Sequence, residues 1–97
     1  MKTVFKYAIP FSFSEISIFL PKNAKILKID EQYNSLKERD VLYIWALIDK
    51  NETKYEERIF RIFGTGHLIE DDLELEYINT LFTENDSLVW HIFEIKN

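Results

Sequence analysis

The chain has 97 residues, 46% of them hydrophobic and 15% aromatic, with eight Phe, five Tyr and two Trp. Its formal charge is −5, so the phosphate attraction behind general nucleic-acid binding is missing. No cysteine is present, which excludes a disulfide framework, a thiolate zinc site and a cysteine nucleophile.

This length fits one domain over residues 1–97, with roughly 60–70% of the unfolded surface buried. So many rings argue against disorder despite 30% charged residues. The longest apolar run, residues 41–48, is far below the roughly 20 residues of a spanning helix. Lys2 and Lys6 imitate a signal-peptide start, but Pro10 and Glu15 interrupt the stretch behind them. The expectation is a cytoplasmic protein with no membrane partner.

In chain order, residues 3–9 are β-branched and aromatic, a first strand closed by Pro10. Ile16, Ile18 and Leu20 alternate with Glu15, Ser17 and Phe19, a half-buried strand that ends at Pro21. Pro21-Lys22-Asn23 supplies turn chemistry, and Ile26, Leu27 and Ile29 mark a third strand. Residues 31–40 are polar and read as a loop with at most one helical turn. Residues 41–48 are apolar on both alternating faces, the mark of a central strand covered on both sides. Residues 55–63 return as its hairpin partner, and Gly64-Thr65-Gly66 stops that strand. Residues 70–76 carry five acids and read as a solvated loop. Residues 77–83 and 88–95 are the last strands, around a turn at 84–87. The fold class is all-β: a compact antiparallel sandwich or small barrel of about seven short strands.

Charge is uneven along the chain. Residues 1–28 hold five Lys against Glu15, net +4, while residues 70–97 hold Lys96 against eight acids, net −7. Terminal strands lying side by side would neutralise each other. Alternatively, opposite patches would build a homo-oligomer through a head-to-tail or two-fold contact.

The string with most chemistry is residues 60–67, Phe-Arg-Ile-Phe-Gly-Thr-Gly-His. A loop with two glycines can aim successive backbone N–H groups at one anion. Thr65 adds a hydroxyl, and Arg61 and His67 add charge-assisted donors. The candidate ligand-binding set is therefore Arg61, Gly64, Thr65, Gly66, His67 and Trp90, whose ring could stack on a planar group. Alternation gives Arg61 and Phe63 one face, and Phe60 and Ile62 the other. Such an Arg must be paired, must snorkel or must face a polar pocket. The plain alternative is a glycine turn beside an Arg paired with a Glu at the core edge. The spacing fits neither the P-loop nor the dinucleotide fingerprint. His91 shares a face with Val89 and Phe93. Joined by His67 and Asp71 or Asp72 it would make a thin zinc set, and no metal or other cofactor is expected. No serine stands in a nucleophile elbow, so a non-enzymatic protein is expected.

Residues 60–67, followed by Ile69 and Asp71-Asp72, resemble the signature of a family of very short phage and prophage proteins of unknown function. Matching pieces are residues 1–7, 20–27, 45–49 and 88–94, spread along most of the chain. Residues 31–40 depart from it, because many members have only a short turn there. The resemblance implies a phage-encoded accessory protein acting in the cytoplasm of an infected bacterial host, and carries over no catalytic residues. Two functions stand open. One is binding and sequestration of a small anionic, nucleotide-type ligand that serves host defence. The other is a protein–protein interaction module that inhibits a host protein through an acidic and aromatic surface.

Overall fold

The computed structural model describes residues 1–97 and contains seven strands and no helix. They are β1 (Lys2–Ile9), β2 (Ile16–Pro21), β3 (Lys25–Asn34), β4 (Arg39–Asp49), β5 (Tyr55–Gly64), β6 (Leu75–Thr83) and β7 (Leu88–Ile95). All pairings are antiparallel, in two sheets of order β1-β4-β3 and β2-β5-β7-β6. The all-β expectation holds, as a sandwich rather than a barrel. No helix is long and apolar enough to cross a membrane. The radius of gyration, 14.1 Å, exceeds the ~12.5–13 Å of a rounder domain this size. Two sheets with little stacked on them make a flat body, with extents of 40 × 39 × 17 Å.

Alternation builds the core. Ile16 and Leu20 from β2, Phe60 and Ile62 from β5, and Ile92 from β7 point inward. They meet Ile29 from β3 and Leu42, Ile44, Ala46 and Ile48 from β4. Each large aliphatic side chain buried there contributes about 1.5–3 kcal/mol. Most rings do not join this core: Phe5, Phe11, Phe13, Phe19, Tyr77 and Phe82 are exposed.

Strand β4 is central, as its two-sided apolar pattern requires. Its outer face is roofed by polar neighbours. Lys6 Nζ donates to Gln32 Oε1 at 2.7 Å and lies 4.4 Å from the centre of the Tyr43 ring. Asn34 Nδ2 donates to the Tyr43 hydroxyl at 2.9 Å, and Tyr43 is buried.

Three expectations fail. Residues 31–40 are not a loop: Glu31–Asn34 continue β3, Arg39 and Asp40 open β4, and only 35–38 turn. Polar residues suit β3 because it is an edge strand, with solvent on one side. Second, β4 and β5 are no hairpin. Both edges of β4 are taken by β1 and β3, so residues 50–54 cross to the other sheet. Third, β1 and β7 lie in different sheets, so the terminal strands do not neutralise each other. The amino terminus pairs with Asp49, and Lys96 with Glu76 and Glu94.

One side of the sandwich is latched. Asn79 of β6 accepts from the Ile29 N–H and donates to the Ile29 carbonyl, both at 2.8 Å. Its amide replaces the missing strand partner of β3, and the bulge between Tyr77 and Asn79 turns it there. The link from β5 to β6 is longer. Both strands are antiparallel to β7, so residues 65–74 must return along the whole sheet. This strap passes over the outer face, where Glu70 reaches Arg61 and the Asn97 side chain holds Asp72 and Glu74.

Candidate functional site

Strand β5 carries two arginines with different fates. Arg58 points inward. Its Nε and Nη2 grip both oxygens of Glu94, the Nη2 bond at 2.9 Å, and its Nη1 donates to the Ala24 carbonyl at 2.8 Å. Glu94 is 3% exposed and is the one buried charged residue of the core. Burial alone would push its carboxyl up, but the Arg58 bonds and nearby Lys96 overcome this and hold it below the usual range. The same bonds to Glu94 raise Arg58 against the opposing effect of burial. The sequence reading overlooked this pair. Its signal is an acid alternating in phase with Trp90 and Ile92 on a strand whose inner face is apolar.

Arg61 points outward. Its guanidinium sits 4.7 Å over the Phe63 ring, and its Nη1 lies 3.9 Å from Glu70. Its Nε is buried with no acceptor. Phe63 is buried and packs edge-on against Phe93 at 6.0 Å. Arg61 thus stands on the outer face, apart from Gly64 and Trp90, which face inward and are paired across β5 and β7.

The remaining members converge at one end of the sandwich. The His67 N–H donates to the Gly64 carbonyl at 3.1 Å, closing a tight turn. The Gly64 N–H donates to His67 Nδ1, also at 3.1 Å. An accepting Nδ1 puts the proton of the neutral ring on Nε2, which is then a donor. A Cβ on Gly64 would lie 2.9–3.0 Å from the His67 ring and 3.2 Å from the Trp90 ring. Glycine is required here for close approach, not for conformation. Gly66 differs, with φ of +87° and open space where a Cβ would stand. The Thr65 and Gly66 N–H groups find no acceptor within the chain.

The Thr65 hydroxyl is taken. It bonds His91 Nε2 at 2.8 Å, and His91 Nδ1 meets Thr80 Oγ1 at 3.3 Å. His91 is a structural imidazole of the outer face, whereas His67 covers Gly64 on the inner side. The two histidines are not brought together, and no three His, Asp or Glu side chains are grouped to hold a metal ion.

Two residues absent from the predicted set complete the wall. The β1–β2 link brings Phe11 and Phe13 to Trp90, with ring centres 5.3 and 5.5 Å away. Phe13 also lies 6.1 Å from the His67 ring. Trp90 is fixed by its Nε1–H, which donates to Thr83 Oγ1 at 2.9 Å. The sequence signal is the spacing of two in Phe11-Ser12-Phe13, just after Pro10.

Trp90 and Leu88 divide two depressions. One, of about 280 Å³, is lined by Gly64, Thr65, His67, Ser87, Val89 and the shared pair. The other, of about 290 Å³, adds Phe11, Glu31, Asp40, Thr83 and Glu84 to that pair. One depression thus offers donors and the other carboxylates, with an indole between. No match is found among curated proteins or among solved structures. A family model of unknown function matches residues 1–97, and the chain belongs to that family, DUF7352.

Proposed function

We propose that this is a non-enzymatic binding protein for a small anionic ligand with a planar ring, of the nucleotide type. In this reading a phage makes it in the cytoplasm of an infected bacterium to withdraw a messenger from host defence. The observation that carries it is the Gly64 N–H bond to His67 Nδ1. That bond leaves Nε2 as the proton-bearing nitrogen of His67, in the same turn as the free Thr65 and Gly66 amides and 6.4 Å, ring centre to ring centre, from Trp90. Three donors without a competing carboxylate suit phosphate oxygens. The ring of the ligand would stack on Trp90, with Phe13 beside it. Glu31 and Asp40, beyond the indole, would accept from the amino edge of a purine. Such a protein acts stoichiometrically and needs affinity without turnover.

The test is calorimetry and native mass spectrometry against cyclic dinucleotides and ADP-ribose derivatives. Binding is expected, with purine ligands ahead of pyrimidine ones. His67→Phe keeps the ring and removes the donor, and should weaken binding by roughly tenfold or more. A folded protein that ignores the whole panel at millimolar ligand ends this reading.

A second reading, inhibition of a host protein, is favoured by the exposed rings at this end, Phe11 and Phe13, together with the acidic strap. A host partner captured by the wild type and lost on Glu74→Lys with Glu76→Lys would support it.

A further inference from the structure

We infer that β1 is a homodimerisation edge that pairs antiparallel with β1 of a second copy, in one definite register. The sandwich has four sheet edges, and three are guarded. The β3 edge is covered by the Asn79 amide, and β6 carries the adjoining bulge. The β2 edge is six residues long and ends in Pro21. Strand β1 has eight residues in unbroken register with β4, without proline or bulge. Lysines commonly protect such an edge. Here Lys6 is turned back over β4, bound to Gln32 and the Tyr43 ring, and so leaves the edge open.

The backbone specifies which atoms are offered. The Lys50 N–H donates to the Met1 carbonyl, and these residues stand opposite each other in the ladder. Alternation then assigns Thr3, Phe5 and Tyr7 the bonds to β4. Lys2, Val4, Lys6 and Ala8 turn their N–H and C=O groups to the free side. A two-fold partner must pair these even positions with one another. Pairing Val4 with Val4 sets Lys2 against Lys6 twice, and pairing Lys6 with Lys6 is a direct repulsion. Pairing Val4 with Lys6 avoids both. It sets Lys2 against Ala8 and Thr3 against Tyr7, and brings Phe5 against Phe5 on the axis. Phe5 is 53% exposed and Val4 49%, large apolar groups left open in the single chain. The central Phe5 pair would be a non-hydrogen-bonded one, where side chains approach most closely. The product is a continuous six-stranded sheet, an isologous contact that closes on itself.

Sedimentation and native mass spectrometry of the full chain, from about 1 to 200 µM, should show a monomer–dimer equilibrium. Val4→Lys places a lysine against Lys6 of the partner and leaves the β1–β4 ladder intact. It should weaken association by roughly tenfold or more. Val4→Pro removes an outward N–H and should abolish it. With no native cysteine, Phe5→Cys should oxidise to a disulfide-linked dimer much faster than Phe19→Cys, an exposed control on β2. A monomer at the highest concentration overturns the proposal. So does a dimer indifferent to Val4→Lys, or equal crosslinking at positions 5 and 19. If Val4→Pro fails to fold by circular dichroism, the lysine and cysteine variants decide.

Discussion

The two ends of β5 make opposite use of polar groups. Toward its start, the half-buried Arg58 and the buried Glu94 are bonded to each other, with Ala24, Glu56 and Lys96 taking the remaining contacts. At its finish, the Thr65 and Gly66 amides and the His67 ring are exposed, and like charges gather beyond Trp90. A satisfied polar network fixes a fold. Donors left open are available to a ligand, and the difference separates the structural end of the molecule from its candidate site.

The largest effect should come from breaking the satisfied end. Arg58→Met leaves Glu94 buried with only Lys96 nearby and should cost about 3–5 kcal/mol in urea unfolding. Arg58→Met with Glu94→Leu should recover most of it, because no uncompensated charge remains. The pH dependence has a definite sign. The Glu94 carboxyl lies lower in the folded chain, so the stabilisation is complete above its unfolded value of about 4.3. It is lost as pH falls through the folded value. Acid unfolding of Glu94→Gln should lack that component, and an unchanged acid limb would show that the pair is not what distinguishes this end.

The next effect belongs to the latch. Asn79→Ala strands both polar groups of Ile29 and should cost about 1–3 kcal/mol, with faster hydrogen exchange along β3. Exchange unchanged there would show that the two sheets hold without it.

Strand positions were largely legible in the sequence, because alternation over six to eleven residues is a local signal. Ile16, Leu20, Phe60 and Ile62 are buried as their spacing predicts. Strand partners were not legible. Residues 41–48 and 55–63 look like a hairpin by proximity, yet competition from β1 and β3 for the edges of β4 decides otherwise. The turn at Gly64–His67 was legible from composition alone. That Arg61 leaves it could be read from the shared face with Phe63, but not that Glu70 of the strap would reach Arg61. Arg58 was invisible as the partner of a buried acid because Glu94 is 36 positions away in sequence.

The two glycines test the open end with smaller effects. Gly64→Ala must displace the His67 or Trp90 ring, so ligand binding should fall more than stability does. Gly66→Ala meets no atoms, and only its left-handed backbone resists, at a cost of about 1–2 kcal/mol. Equal effects of the two on any ligand would remove the role assigned to the ring over Gly64.

The smallest effect concerns Glu31, at the unsatisfied end. Burial raises its carboxyl, and the charges of Asp40, Asp30 and Glu84 raise it further. The sign is opposite to that of Glu94. A folded value above the unfolded one makes ionisation harder in the folded chain, so stability falls as pH climbs from about 4.3 through the folded value. Glu31→Gln should therefore be more stable than the wild type at pH 7 and nearly equal to it at pH 4. Urea midpoints at the two pH values measure this directly. A ligand that offers amino hydrogens to Glu31 would reverse the penalty, because ionisation would then be favoured. Its binding should therefore release a proton near the folded value, and a Glu31→Gln protein should not. A proton release that survives this substitution would place the amino edge elsewhere.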